Sequence, residues 1–80
     1  MPPLYAPPLK RSVTIAGHET SISLEPRFWA ALETAARLRR LPLNALVARI
    51  DADRLSAATV PNLASALRCW VLDDVGGSPS

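Results

Sequence analysis

The stretch KRSVTIAGHETSISLEP, residues 10–26, decides how the chain reads. Two runs, RSVTI and TSISL, alternate apolar and hydroxyl side chains with a period of two and are rich in β-branched residues, the pattern of half-buried strands. Between them AGHE supplies a connection, with Gly17 tolerating a positive φ. A four-residue connection sets Ile15 opposite Thr20, Thr14 opposite Ser21, Val13 opposite Ile22, Ser12 opposite Ser23 and Arg11 opposite Leu24. In that register the apolar residues share one face and the hydroxyls the other.

The 80-residue chain is 49% hydrophobic. A single core of this size leaves only about 3–5 kcal/mol of net stability without reinforcement. Cys69 is the one cysteine and His18 the one histidine, so neither a disulfide nor a structural metal site supplies it. Oligomerisation is the remaining common route, and the high apolar content suits an intertwined homodimer or higher homo-oligomer. The net charge is +2, but eight of the nine basic residues are Arg, the residue suited to bidentate phosphate and carboxylate contacts. A polyanionic partner is permitted and not demanded. No run is long and apolar enough for a membrane span, and the N-terminus lacks the layout of a signal peptide, so a cytoplasmic protein is expected.

Residues 1–9, MPPLYAPPL, read as a disordered, polyproline-like arm, residues 10–75 as the domain, and residues 76–80 as a disordered tail. Three helices follow the strands. The first, in EPRFWAALETAARLRR, has Pro26 in its first turn, Phe28, Leu32, Ala35 and Ala36 at helical spacing with Trp29 beside them, and an expected Glu33–Arg37 pair. The second follows Pro42, with Leu43, Leu46, Val47 and Ile50 on one stripe. The third starts at Pro61 or Asn62 and carries Leu63, Leu67, Trp70 and Val71. Asp73 and Asp74 lie at the negative end of its dipole, which calls for a cationic partner elsewhere. Cys69 is expected as a small core residue, Trp29 and Trp70 as core or interface anchors, and His18 as a turn residue. The fold class is therefore α+β and mostly α, a hairpin or ribbon followed by three helices.

A strand closed by proline, an amphipathic helix, a tight turn and a second helix resembles the ribbon-helix-helix DNA-binding family. The closer resemblance is to a bacterial subgroup, carried by KRSVTIAGHETSISLEPRFWAALETAA, LNALVARID and NLASALRCWVL. It implies two intertwined chains whose strands pair as an antiparallel ribbon that enters the major groove of double-stranded DNA. Ser21 and Ser23 match the family's base-reading positions, with Glu19 next in the series. Ser12 and Thr14 extend the same outward face, and Lys10 and Arg11 are candidate phosphate contacts beside it. The family also clamps a phosphate at the start of its second helix, a role for which Asn44 and Asn62 or Ser65 are candidates; NLASALR looks more like that opening than LNALVAR does, which points to Asn62 and Ser65. The chain departs from the family in its extra strand, RSVTI, which forms a hairpin within the chain or lies at the sheet edge. It departs also in offering hydroxyls and Glu19 where Arg, Lys, Asn or Gln are usual.

No glycine-rich phosphate loop, metal-ligand spacing or nucleophilic triad is present, so no catalytic residue, metal or cofactor is expected. The expected function is a small homodimeric transcriptional regulator. The alternative is a dimeric protein-interaction module, antitoxin-like or an adaptor, which the acidic Glu19 and the modest net charge favour.

Overall fold

A computed structural model gives the chain's structure and describes residues 5–76. Of the expected disordered arm, residues 1–9, and tail, residues 76–80, the parts 1–4 and 77–80 lie outside the described residues, and Leu9 belongs to the first strand. The order of elements is β1 (Leu9–Ile15), β2 (His18–Leu24), α1 (Pro26–Leu38), α2 (Leu43–Leu55) and α3 (Leu63–Val75). The strands form an antiparallel hairpin within the chain, which settles where the extra strand goes.

The hairpin turn is tighter than the sequence suggests. Ala16 and Gly17 alone connect the strands, at φ 51° and 82°, the two positive angles of a type I′ turn. The register is accordingly Ile15 opposite His18, Thr14 opposite Glu19, Val13 opposite Thr20, Ser12 opposite Ser21, Arg11 opposite Ile22, Lys10 opposite Ser23 and Leu9 opposite Leu24. It differs by two residues from the register of a four-residue connection. A type I′ turn matches the right-handed twist of the strands, and the shift draws Leu9 and Lys10 into the ladder. Because the offset is even, every side chain stays on its expected face. Val13, Ile22 and Leu24 are buried, whereas Ser12, Thr14, Ser21 and Ser23 are exposed.

The inner face of the hairpin packs on the helices. α1 contributes Trp29, Leu32, Ala35 and Ala36 to the core, α2 contributes Leu46, Val47 and Ile50, and α3 contributes Leu67 and Val71. Trp29 is buried and Phe28 only partly so; the indole Nε1 donates to the Leu9 carbonyl at 2.8 Å, so its one polar group is satisfied in the core. Glu33 pairs with Arg11 at 2.7 Å instead of with Arg37. Arg37 donates to the Thr34 hydroxyl. Cys69 is exposed, contrary to the sequence reading. It lies two residues from both Leu67 and Val71, about 200° around the helix from the buried stripe.

Helix ends are fixed by local chemistry. Asn62 caps α3, its Oδ1 accepting from the Ser65 N–H at 2.8 Å. At the end of α1, Arg40 sits at φ 56° while its N–H reaches the Arg37 carbonyl and that of Leu41 reaches Ala36, a Schellman closure with Arg where Gly is usual. Asp74 finds its partner in Arg39 at 2.7 Å, and Arg39 also lies 5.0 Å from the centre of the Trp70 ring. Arg68 holds Glu25 with two donors, at 3.0 and 3.2 Å, joining α3 to the residue before α1.

Two predictions follow from these joints. Ala16 occupies a left-handed position that disfavours Cβ, so Ala16→Asn is expected to stabilise the hairpin by roughly 0.5–1 kcal/mol in denaturant unfolding. The Arg68 hydrogen bonds hold the Glu25 carboxyl below its usual value of 4.5. Its contribution is therefore present above that value and lost as pH falls through the lowered one. Glu25→Gln is expected to flatten that part of the acid-unfolding curve, and an unchanged curve would remove this joint from the account.

Candidate nucleic-acid interface

Alternation along two paired strands gathers six side chains on the outer face of the hairpin. They stand in three cross-strand pairs, Lys10 with Ser23, Ser12 with Ser21 and Thr14 with Glu19. All six are exposed. A two-residue turn closes on a hydrogen-bonded pair at Ile15 and His18, so the ladder's alternation makes these three the non-hydrogen-bonded pairs, whose side chains lie closest together. Their backbone N–H and C=O groups point away from the hairpin on both edges.

The two edges differ. On β1, the Thr14 N–H is taken by Asn44 Oδ1 at 3.1 Å, from the first turn of α2, which packs against this strand. On β2, no described residue bonds to the outward backbone of Glu19, Ser21 or Ser23. The second edge is an open template for another strand.

Of the residues singled out in the sequence, the structure brings Lys10, Ser12, Thr14, Ser21 and Ser23 onto one surface, with Glu19 among them. Arg11 is on the opposite face. Its guanidinium lies 4.8 Å from the centre of the Trp29 ring and bonds Glu33, so its charge is engaged inside the chain. Lys10 and Glu19 leave the outer face with one charge of each sign.

Asn62 and Ser65 are bonded to each other at the start of α3. Arg54, in the last turn of α2, donates to the Pro61 carbonyl at 3.1 Å, which sets that helix start beside the far end of α2. Asn44 is the asparagine that reaches the hairpin, about 15 Å of helix away from Arg54 at that end. Pro42 offers no side-chain cap to α2, and among the described residues nothing accepts from the Leu43 and Asn44 N–H groups. The sequence signal for these unfilled donors is the proline itself, since Pro42 at the N-cap has no side-chain acceptor.

The remaining basic residues are split between joints and solvent. Arg39 donates to the Ala35 carbonyl at 3.0 Å, meeting the negative end of α1 as its position suggests. Arg40 and Arg49 are exposed, and His18 is exposed at the start of β2. Among the described residues no group of His, Cys, Asp and Glu is placed to hold a metal ion, and no helix is long and apolar enough to cross a membrane.

Comparison with known proteins gives the family of this arrangement. No curated protein and no solved structure matches closely enough to count as a relative. The model of the ribbon-helix-helix domain matches residues 8–75, from the residue before β1 to the end of α3. The chain belongs to the ribbon-helix-helix family.

Proposed function

We propose that two copies pair through the open edge of β2 and lay the resulting ribbon in the major groove of duplex DNA, as a small cytoplasmic regulator of transcription. The observation that carries this reading is the outer face of the hairpin, where five candidate contact residues stand exposed beside a strand edge to whose backbone no described residue bonds. Antiparallel pairing of β2 with its own copy is longest when Ser21 lies on the two-fold axis. That register sets Glu19 of each copy opposite Ser23 of the other, where the hydroxyl donates to the carboxylate and tempers its charge.

The order across the ribbon is then β1, β2, and the second copy's β2 and β1. Four strands about 4.8 Å apart are slightly wider than a groove of about 12 Å. Ser21 and Ser23 thus face the bases, and Lys10, Ser12 and Thr14 lie toward the phosphate walls. The unfilled N–H groups at the start of α2 lie at the Thr14 end of the same surface and suit a phosphate oxygen. This gives the clamp to Asn44's helix rather than to Asn62 and Ser65. Hydroxyls accept and donate to several base edges, so discrimination between sequences is weaker than from bidentate pairs. The reading assigns no catalytic step and no cofactor.

A protein-interaction module is the second reading, favoured by Glu19 on the outer face and by the engagement of Arg11 with Glu33. Purification without added DNA separates the two. Nucleic acid carried through, seen in the ratio of absorbance at 260 and 280 nm, supports the first, and a stoichiometric protein companion supports the second.

Titration against duplex fragments at several salt concentrations is expected to give affinity that falls as salt rises, and a constant flat in salt would overturn the DNA reading. Lys10→Ala is expected to weaken binding to all sequences and reduce the log–log salt slope by about 0.9 per copy. Ser21→Ala and Ser23→Ala are expected to change the ranking of sequences while leaving that slope in place.

A further inference from the structure

We propose a second interface, independent of the ribbon: the proline-rich stretch Tyr5–Pro8 of one copy, just before β1, lies in the apolar groove between α1 and α3 of another, and the exchange is reciprocal. The groove encloses about 440 Å³ and is lined by Arg27, Phe28, Ala31, Val71, Leu72 and Val75. Leu72 and Val75 are 66% and 73% exposed in the single chain, an apolar strip with no partner among the described residues.

The same chain carries a segment of matching chemistry. Residues 1–9 contain no charged side chain. Tyr5 is 91% exposed and Leu9 50% exposed, while Pro7 and Pro8 are also exposed. Proline has no N–H, so such a segment presents apolar rings and accepting carbonyls, the surface that aromatic-lined grooves bind in extended form. Phe28 provides the aromatic wall. Arg27 is exposed at the rim with no carboxylate partner among the described residues, and its guanidinium suits those carbonyls or the Tyr5 hydroxyl.

Geometry favours a second copy over the segment's own groove. The Leu9 carbonyl is held by Trp29, which faces the core beneath β1 and does not line the groove, so the segment leaves the fold at the root of β1. Pro7 and Pro8 favour an extended course of about 3.1 Å per residue, which carries the segment outward. The exposed Tyr5 ring shows that the segment does not cover its own groove. Two copies related by a two-fold axis can fill each other's, a closed and self-complementary contact.

The test uses the full chain, the Tyr5→Asp and Leu72→Glu variants, and a free peptide of residues 1–9, MPPLYAPPL. Sedimentation equilibrium over a concentration series is expected to show the wild-type chain reaching twice the mass of either variant. Excess peptide is expected to return it to the variants' mass and to shift amide resonances of Phe28, Ala31, Val71 and Leu72. Both substitutions lie at exposed positions, and circular dichroism checks that each variant is folded. Equal mass for wild type and Tyr5→Asp at every concentration overturns the proposal, as do peptide-induced shifts confined to residues outside the groove. Failure of the ribbon pairing alone would instead lower the mass of all three proteins together.

Discussion

The hairpin is useful only because one of its faces is pinned, and Trp29 does the pinning. Its indole fills the core beneath β1, its Nε1 donates to the Leu9 carbonyl, and its ring underlies the Arg11 guanidinium, which in turn bonds Glu33. An isolated two-stranded hairpin is marginal in water. Here the root of β1 is tied to α1 and its far end to α2 through Thr14 and Asn44, so the strand is held at both ends. With the inner face committed, alternation leaves Lys10, Ser12, Thr14, Glu19, Ser21 and Ser23 no surface but the outer one. The function proposed for the chain depends on that division.

Much of this division is legible in the residues. Two runs of period two, a glycine near their junction and a proline just past the second are local signals, and they specify the hairpin and its faces without knowledge of the rest. The apolar stripes Leu46–Val47–Ile50 and Leu67–Val71 are equally local. The exact register is not, because AGHE accommodates both a four-residue connection and a two-residue turn with Ala16 at positive φ. Choosing between them depends on strand twist and on whether Leu9 gains a partner, and Leu9 gains two, Leu24 across the ladder and Trp29 below it.

Charge pairing is the least legible layer. Spacing on one helix suggests Glu33 with Arg37, yet Glu33 is drawn to Arg11 from a strand 22 residues earlier. Arg11 adjoins the hydroxyl stripe in sequence and faces away from it in space, since neighbours along a strand point to opposite sides. Asn44 and Asn62 look alike as helix-opening residues, and only the packing of α2 against β1 gives the first a place at the ribbon. The need of Asp74 for a cation is evident from its helix end, but the identity of Arg39 comes from the path of α3 beside α1.

The two edges of the hairpin are also unequal in a way that directs assembly. Asn44 occupies β1's outer edge at Thr14, whereas β2 presents Glu19, Ser21 and Ser23 with outward amides that no described residue bonds. Amide hydrogen exchange measured residue by residue tests this directly. If β2 pairs with its own copy, the Glu19, Ser21 and Ser23 amides are strongly protected while those of Lys10 and Ser12 exchange quickly. If all five exchange at the same fast rate at concentrations where the protein is folded, β2 is a free edge and the ribbon does not exist.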